Sequence, residues 1–351
     1  MGRVTCASTM TLTGRETMRR ARPEVPCSLA PLDHPWLVEA ALARVRPSAL
    51  VLIETELWPS WIAAATRRGV PVIVASGRIS NRSFPRYRRF APLLRGTFAR
   101  LSAVGARTEE DARRFVALGV PQDRVRVCGD LKLSPPEVPV RLPPELERRL
   151  PDCALLVAGS THAGEEEAAL AAFLAAEHAG LLVALVLAPR YPERADEVER
   201  VVRKAGRPLV RSSEKANLTP GGVLLLDSLG DLAAVFTRAT VAFVGGSLVP
   251  RGGHNLLEPA AAGKLVLFGP HTESAKNAAD LLIACGAGER VEDAQAFAAA
   301  AARWLADPEG AAERGSRGRQ ALEAHRGSVE CNAALVEAVL AARSARKEGR
   351  G

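Results

Sequence analysis

The fifteen-residue stretch 245–259 carries residue types that bind phosphorylated ligands, and it reads Gly-Gly-Ser-Leu-Val-Pro-Arg-Gly-Gly-His-Asn-Leu-Leu-Glu-Pro. Its four glycines let backbone N–H groups approach a ligand closely, and a helix N-terminus favours negative charge. Asn255 and Glu258 are three residues apart, so they share a face on the first turn of a helix. The stretch predicts a site in which amide groups bind phosphate and the carboxylate binds ribose hydroxyls.

The flanking residues predict the elements that hold this stretch. An apolar run rich in β-branched residues, 240–244, precedes it, and an alanine-rich helical pattern, 260–263, follows. Strand, glycine-rich loop and helix start therefore succeed one another. A Gly-Gly pair alone indicates an ordinary turn, whereas the whole stretch favours a nucleotide site.

The rest of the chain alternates in the same way. Strand-like and helical patterns alternate in residues 1–133 and again in residues 153–351, which predicts parallel sheets. Between them, residues 134–152 are rich in proline, which favours a semi-rigid interdomain linker. We therefore expect an α/β fold with two Rossmann-like domains that face a central ligand cleft.

Polar clusters follow the predicted strands of the second half, where ligands of open α/β sheets bind. Any single cluster also suits helix capping or a turn, and for Asp227-Ser228 that is the favoured interpretation. Together the clusters predict a nucleotide-type donor site. They lie at 159–166, 189–194, 227–232, 245–259 and 269–272.

Two charged residues follow strands of the first half. Glu54 ends one predicted strand, and Lys132 comes shortly after another. A lysine and a carboxylate at a cleft can stabilise charge that develops in a transition state. Solvated charges at strand ends are an equally good explanation.

Residues 78–100 form a basic segment with interleaved aromatic and aliphatic residues. Such a pattern is typical of a contact with an anionic membrane surface, and arginine also binds phosphate oxygens in a forked geometry. An ordinary solvated helix is the alternative. The seven arginines are Arg78, Arg82, Arg86, Arg88, Arg89, Arg95 and Arg100.

Composition narrows the class of protein. The 351 residues are 47% hydrophobic with a formal net charge of +8, which suits a two-domain globular protein with an anionic partner. Aromatic residues make up only 4% and no nucleic-acid motif occurs, which argues against nucleic acid. No apolar run reaches the ~18 residues of a membrane span, and residues 1–20 lack a signal-peptide pattern. No Gly-x-Gly-x-x-Gly fingerprint indicates an NAD dehydrogenase.

The six cysteines are scattered, at positions 6, 27, 128, 153, 285 and 331. Because no Cys-x-x-Cys pair or Cys/His cluster occurs, the sequence indicates neither structural zinc nor a disulfide framework. A reducing cytosol fits this usage.

In this order the motifs resemble the 3-deoxy-D-manno-octulosonic acid (Kdo) transferases of lipopolysaccharide biosynthesis. The resemblance covers nearly the whole chain. It lies in 8–14 (Ser-Thr-Met-Thr-Leu-Thr-Gly), 54–60 (Glu-Thr-Glu-Leu-Trp-Pro-Ser), 77–83 (Gly-Arg-Ile-Ser-Asn-Arg-Ser), 129–132 (Gly-Asp-Leu-Lys), 160–166 (Ser-Thr-His-Ala-Gly-Glu-Glu), 189–190 (Pro-Arg), 227–231 (Asp-Ser-Leu-Gly-Asp), 252–259 (Gly-Gly-His-Asn-Leu-Leu-Glu-Pro) and 269–272 (Gly-Pro-His-Thr).

The resemblance implies a GT-B glycosyltransferase that binds its acceptor in the N-terminal half and CMP-Kdo in the C-terminal half. It implies an inverting, metal-independent transfer without a cofactor to the phosphorylated lipid A precursor, lipid IVA. The enzyme would act as a peripheral protein at the cytoplasmic face of the bacterial inner membrane.

The resemblance also assigns roles to residues of this sequence. Glu54 and Lys132 fall on transition-state-stabilising positions. The basic segment fits the phosphorylated acceptor that the resemblance implies, so we expect Arg78, Arg82, Arg86 and Arg89 to bind it. Further donor contacts are expected at Ser160, Thr161, Gly252, Gly253 and His254. The CMP-binding positions are Pro189, Arg190, Leu229, Gly230, Asp231, Asn255, Leu256, Leu257 and Glu258.

The sequence departs from the family pattern in three places. The family's general base, a glutamate in a loop upstream of the Thr-Met-Thr motif, has no counterpart, because the chain begins at Met1 just before that motif. We therefore expect a longer gene product, which sequencing upstream of Met1 tests. The family's histidine after Pro-Arg is Tyr191, and its usual Phe-Asn pair after Gly-Pro-His-Thr is replaced by Glu273 and Ser274.

Two alternatives remain. A GT-B transferase that uses a UDP-sugar would share the glutamate that binds ribose. A nucleotide-binding chain without transferase activity would follow from loss of the general base, which is typically worth about 10²–10⁴-fold in rate.

Overall fold

A computed structural model describes residues 4–54, 57–136, 142–214, 216–228 and 230–348. The chain forms two compact units. The first comprises Met1–Leu131 and Gly327–Gly351, and the second comprises Lys132–Arg326. Both units are built from parallel strands with helices between them, as the alternating pattern predicts.

The first unit contains two parallel sheets. A two-stranded sheet pairs β1 with β2, and a four-stranded sheet has the order β3-β4-β5-β6. The strands are β1 (Ala7–Thr9), β2 (Cys27–Leu29), β3 (Leu50–Ile53), β4 (Val72–Gly77), β5 (Ala103–Ala106) and β6 (Val125–Val127). The helices are α1 (Leu12–Ala21), α2 (Pro35–Val45), α3 (Pro59–Arg67), α4 (Phe84–Arg89), α5 (Ala91–Phe98), α6 (Glu109–Ala117) and α15 (Ser328–Glu348).

The core of the first unit lies around β4, a strand whose six residues are all buried. Ile62 of α3 and Phe115 of α6 are fully buried against the same core, because each lies on the apolar face of its helix. A strand buried on both faces carries an apolar run rather than an alternating pattern, as β4 does.

The second unit contains one seven-stranded parallel sheet of order β13-β12-β11-β7-β8-β10-β9. Its strands are β7 (Ala154–Thr161), β8 (Val183–Pro189), β9 (Leu209–Arg211), β10 (Val223–Leu225), β11 (Val241–Val244), β12 (Leu265–Phe268) and β13 (Gly288–Arg290). Its helices are α7 (Pro144–Glu147), α8 (Glu165–His178), α9 (Ala195–Lys204), α10 (Leu232–Phe236), α11 (Leu257–Ala261), α12 (Lys276–Ala284), α13 (Ala294–Ala306) and α14 (Pro308–Glu323).

The strand order of the second unit places a topological switch point between β7 and β11. From β7 the chain moves to β8 on one side, and later it returns to β11 on the other side of β7. The chain therefore leaves these two strands in opposite directions, and open α/β sheets bind ligands beyond such a switch point. The glycine-rich stretch follows β11.

The unit boundaries differ from the expected domains 1–133, 134–152 and 153–351. Helix α15 belongs to the first unit, and the second unit already begins at Lys132. Within the expected linker, Leu142, Leu146 and Leu150 are buried in the core of the second unit. Pro144, one of the prolines of this segment, starts the short helix α7, and residues 137–141 of the expected linker lie outside the described residues.

The structure contradicts the expectation that no disulfide forms. Cys128, after β6, is bonded to Cys331 of α15, with their Cα atoms 5.4 Å apart. The two residues are 203 positions apart, so spacing in the sequence gave no sign of the pair. Across the described ranges, the helices are too short or too polar to cross a bilayer.

Candidate functional site

The glycine-rich loop after β11 is held by a buried carboxylate. Glu165, the first residue of α8, is fully buried and accepts hydrogen bonds from backbone N–H groups on both sides of the switch point. Its donors are the N–H groups of His162 (2.9 Å), Gly246 (2.7 Å), Ser247 (3.0 Å) and Leu248 (2.9 Å). These backbone N–H groups are therefore already occupied, so the structure does not support the sequence-based prediction that they bind phosphate. Glu165 instead fixes the path of the glycine-rich loop.

Two positions in this loop require glycine. Gly246 has φ +68°, and a Cβ atom there would lie 2.8 Å from Cδ2 of His254. At Gly245 a Cβ atom would lie 2.5 Å from the carbonyl oxygen of Ser160. The loop after β11 thus packs closely against the loop after β7, with no space for a side chain between them.

Ser247 connects the ends of β11 and β12. Its buried hydroxyl donates to the carbonyl oxygen of Val244 at 2.5 Å and accepts from the N–H of Gly269 at 2.9 Å. The N–H of His271 donates to the carbonyl oxygen of Ser247 at 3.0 Å. The motif 269–272 is thereby attached to the glycine-rich loop.

The structure brings Asn255 and Glu258 together at the start of α11, as their spacing predicts. Nδ2 of Asn255 donates to Oε1 of Glu258 at 3.0 Å, and Oδ1 of Asn255 accepts from the N–H of Leu257 at 3.0 Å. Leu256 is buried in the core and Leu257 is half-buried. These two leucines anchor the turn, whereas the partly exposed Glu258 carboxylate is presented at its surface.

Two histidines meet across the switch point. Nε2 of His162, after β7, lies 2.8 Å from Nε2 of His254, after β11, and the two ring planes are within 13° of parallel, with their centroids 5.1 Å apart. Burial lowers the pKa of His162, although the Glu165 carboxylate opposes this. Burial, the His162 ring and the Arg190 guanidinium lower the pKa of His254 to about 4. Both rings are therefore neutral near pH 7, and one donates its N–H to the other.

The segment after β8 lies beside this pair. The N–H of Arg190 donates to the carbonyl oxygen of Thr161 at 2.9 Å, and Pro189 is buried at the strand end. The exposed Arg190 guanidinium lies 6.0 Å from the ring centroid of Tyr191, and that ring contacts His162 edge-on at 5.8 Å. Tyr191, one of the departures noted in the sequence analysis, thus packs against His162.

Thr161 and Ser160 differ in whether their side chains are accessible to a ligand. The buried Thr161 hydroxyl donates to Glu166 at 2.9 Å, and Glu166 forms an ion pair with Arg194 at 2.7 Å. Its side chain is thus occupied within the protein. The adjacent Ser160 is partly exposed with φ +56°, a strained conformation for a residue with a Cβ atom.

The motif 227–231 divides into a structural part and an exposed part. The Asp227 carboxylate accepts from the hydroxyls of Ser212 (2.6 Å) and Ser213 (2.5 Å), which supports the turn interpretation made for Asp227-Ser228. Burial raises the pKa of Asp227, but these hydrogen bonds outweigh it and leave the pKa lowered. Gly230 is exposed, and Asp231 precedes α10; Leu229 lies outside the described residues.

The remaining donor-side predictions are two glycines. Gly252 and Gly253 have φ +86° and +75°. The N–H of Gly253 donates to the carbonyl oxygen of Gly246 at 2.7 Å, and the carbonyl oxygen of Gly252 accepts from Ser274 at 2.8 Å. The two glycines therefore set the path of the loop through their backbone conformation and hydrogen bonds. Within the described ranges, no three His, Cys, Asp or Glu side chains are grouped as metal ligands.

In the first unit, Glu54 directly follows β3 with φ +63°. Its N–H donates to the carbonyl oxygen of Ala75 at 2.9 Å, so the main chain is held in this strained conformation. Strained non-glycine residues cluster at functional sites. Lys132 is exposed and is the first residue of the second unit, so the structure assigns the two predicted residues to different units.

A buried polar network lies at the strand ends of the first unit. The fully buried Asp130 pairs with Arg107, and its Oδ1 accepts from the Ser76 hydroxyl at 3.3 Å. Oδ1 of Asn332, on α15, accepts from the N–H of Ser76 at 3.1 Å, and the Ser328 hydroxyl donates to the carbonyl oxygen of Asp130 at 3.4 Å. This network attaches α15 to the sheet.

The predicted acceptor arginines are exposed. Arg78 follows β4, Arg82 precedes α4, and Arg86 and Arg89 lie on α4. Several aromatic and aliphatic residues of the segment pack instead on the core of the first unit, namely Phe84, Tyr87, Leu94 and Phe98. The segment therefore presents guanidinium groups outward on a folded support.

Sequence reasoning missed Glu165 and His162 as parts of this site. Both occurred in a matching motif, but acidic residues at a helix start ordinarily serve the helix dipole. Their roles depend on contacts with Gly246 and His254, more than 80 residues away along the chain. The acidic start of α8 was the available signal.

Comparison with known proteins identifies the family. Residues 3–134 match the profile of the 3-deoxy-D-manno-octulosonic-acid transferases (kdotransferases). The 3-deoxy-D-manno-octulosonic acid transferase of Haemophilus influenzae is 32% identical over 314 residues, which cover 86% of this chain and 71% of that protein. This chain belongs to the family of 3-deoxy-D-manno-octulosonic acid transferases, a class of glycosyltransferases.

Two further comparisons show how far the similarity to known proteins extends. A bifunctional glycosyltransferase/methyltransferase of Fusobacterium nucleatum is 32% identical over 277 residues. The matched region is 76% of this chain and 42% of that protein. The crystal structure of MurG from Acinetobacter baumannii superposes with a TM-score of 0.54 at 13% identity, over 95% of this chain and 91% of that one. The predicted GT-B fold is thereby confirmed.

Proposed function

We propose that the chain transfers Kdo from CMP-Kdo to the lipid A precursor lipid IVA, with inversion at the sugar and without a bound metal. The reaction would take place at the cytoplasmic face of the bacterial inner membrane, with the chain as a peripheral protein. Membership of the family supports the transferred sugar.

The donor site carries the proposal. The hydrogen-bonded pair of Asn255 and Glu258 lies at the start of α11, directly after the glycine-rich loop that Glu165 braces. In the proposal, the Glu258 carboxylate binds the ribose hydroxyls, because a carboxylate accepts from two vicinal hydroxyl donors. The base and sugar would lie along Arg190, the exposed Gly230 and the partly exposed Asp231.

The acceptor would bind to the first unit. Arg78, Arg82, Arg86 and Arg89 present guanidinium groups that suit the phosphates of lipid IVA, because guanidinium matches phosphate oxygens in a bidentate geometry. The same surface suits anionic lipid headgroups, and a net charge of +8 adds long-range attraction.

For the chemical step, we assign Glu54 and Lys132 to charge stabilisation. When the sugar leaves, positive charge develops on it and negative charge on the departing phosphate. A carboxylate and an ammonium group held in place stabilise these two charges. The strained backbone of Glu54 supports this assignment, because such strain persists where the fold holds a side chain for function.

Thermal stabilisation by nucleotides tests the donor assignment. CMP should raise the melting temperature, whereas UMP, UDP and NAD should raise it less. Glu258→Ala should lose the CMP effect, and Glu313→Ala, which removes an exposed glutamate of α14, should keep it. Stabilisation by UDP instead of CMP would favour a UDP-sugar transferase, and no response to any nucleotide would contradict the donor site.

Transfer itself is measured with CMP-Kdo and lipid IVA by mass spectrometry, with and without EDTA. Formation of Kdo-lipid IVA that is insensitive to EDTA supports the whole proposal. CMP binding without product would instead support the nucleotide-binding, inactive alternative. Lys132→Ala should lower the rate with little change in CMP affinity, since its proposed role is in the transition state.

A further inference from the structure

The contact between His162 and His254 bridges the two loops that diverge at the switch point. One ring follows β7 and the other follows β11, and their Nε2 atoms are 2.8 Å apart. Arg190 and Tyr191, which follow the neighbouring strand β8, lie on the same side of the sheet. Because open α/β sheets bind ligands at the switch point, the pair lies in the region where we expect a bound nucleotide.

The geometry limits the pair to one added proton. A neutral imidazole has one N–H donor and one acceptor nitrogen, so a 2.8 Å contact needs one ring to donate and the other to accept. The accepting ring then carries its N–H on Nδ1, outside the pair. The first added proton can bind the outward Nδ1 of the donating ring and leave the contact intact. A second would have to bind the accepting Nε2, so that two N–H groups would point at each other across the contact.

Without a ligand, burial and the surrounding charges keep both histidine rings neutral. The carboxylates of Glu165 and Glu166 favour the charged form of His162, but burial outweighs them, and the guanidinium groups of Arg194 and Arg251 oppose it. His254 faces the Arg190 guanidinium as well as His162. Glu165 and Glu166 are already occupied by backbone N–H groups and Arg194. The negative charge of a bound phosphate dianion would instead favour a protonated, positively charged ring.

We propose that His162 and His254 form a phosphate-recognising pair that takes up one proton when a nucleoside monophosphate binds. The proton comes from solvent, and the pair with one added proton then donates an outward N–H to a phosphate oxygen. The neighbouring Arg190 contributes a fixed positive charge to the same group. The inference rests on the proposed donor site and adds that the site favours the phosphate dianion that remains after sugar transfer.

Proton uptake is measured by titration calorimetry with CMP near pH 7 in two buffers of different ionisation enthalpy. At this pH the phosphate is mainly a dianion, so its own ionisation releases rather than consumes protons. We expect uptake that approaches one proton per CMP. Affinity should rise by up to about tenfold per unit as pH falls through the window of uptake. Cytidine, which has no phosphate, should bind without uptake.

Variants of either ring complete the test. His162→Gln and His254→Gln should bind CMP more weakly, take up no proton and lose the pH dependence of affinity. His178→Gln, at the far end of α8, is the matched control and should behave as the unaltered protein. CMP binding with no proton uptake, or uptake retained in both Gln variants, would overturn the inference. Absence of CMP binding by the unaltered protein would overturn the donor assignment and the inference with it.

Discussion

The carboxylate of Glu165 accepts the backbone N–H of Gly246 at 2.7 Å, across 81 residues of chain. Glu165 begins α8 after β7, and Gly246 lies in the loop after β11, so the contact spans the switch point of the sheet. The glycine-rich loop is thus held in place by a charged group that is fully buried. A ligand would meet a loop that is already ordered, which lowers the entropic cost of binding.

Glu165→Gln should destabilise the second unit by about 2–3 kcal/mol. The amide keeps one acceptor oxygen but turns an NH₂ group toward backbone N–H groups, which leaves buried donors unsatisfied. Urea unfolding followed by circular dichroism measures the loss, and CMP affinity should fall in parallel.

Glu167→Gln is the matched control for Glu165. Glu167 lies on the same turn but is exposed, and it accepts a single hydrogen bond from the N–H of Gly164 at 3.1 Å. Its substitution should cost less than about 1 kcal/mol. Equal losses in the two variants would contradict the bracing role of Glu165.

Gly246→Ala should cost more than Gly180→Ala. Both glycines have positive φ, +68° and +83°, so alanine is strained at each by about 1–2 kcal/mol. At Gly246 the new Cβ atom would also approach the His254 ring at 2.8 Å, whereas at Gly180 it would meet nothing within 4 Å. Thermal melting and CMP titration compare the stability and CMP affinity of the two variants. Similar melting temperatures would contradict the close packing of Gly246 against His254.

Gly105→Ala should destabilise the first unit by about 1–3 kcal/mol, as overpacking of a core does. A Cβ atom there would lie 2.2 Å from Oδ1 of Asn332, the atom that accepts from the N–H of Ser76. Gly96→Ala, in the open on α5, should instead be neutral or stabilise by up to about 1 kcal/mol. Chemical denaturation compares the pair; a loss at Gly96 or none at Gly105 would contradict the packing described here.

Acid should destabilise the second unit through His254. The folded-state pKa of about 4 lies below the ordinary value of 6.5, so between these pH values the unfolded chain binds a proton that the folded chain does not. Stability from this group is therefore full above about 6.5 and falls as pH drops toward about 4. His254→Gln should flatten this part of the curve of melting temperature against pH, and His178→Gln should leave it unchanged.

Part of the local geometry of the proposed donor site could be predicted, because its signals lie close together in the sequence. The three-residue spacing of Asn255 and Glu258 fixed their shared face, and the hydrogen bond between them follows from it. The apolar runs predicted buried parallel strands, since such strands are covered on both faces. Family membership added the sugar that the residues alone did not specify.

The rest depended on contacts between distant parts of the chain. Nothing local distinguishes Glu165 from the neighbouring exposed Glu167, because burial is decided by the loop that folds over it. The His162–His254 contact joins residues 92 positions apart, and the Cys128–Cys331 bond joins residues 203 apart. The sequence assigned residues 153–351 to one domain, and no local signal indicated that α15 would attach to the first unit.

The attachment of α15 to the first unit has a consequence for the order in which the molecule is assembled. Translation completes the residues of the second unit before α15 is made. The buried polar network around Asp130 lacks the side chains of Ser328 and Asn332 until that last helix emerges. The first unit is therefore completed only after residues 132–326 have been synthesised, and a chaperone or protease that samples the nascent chain could meet it without α15.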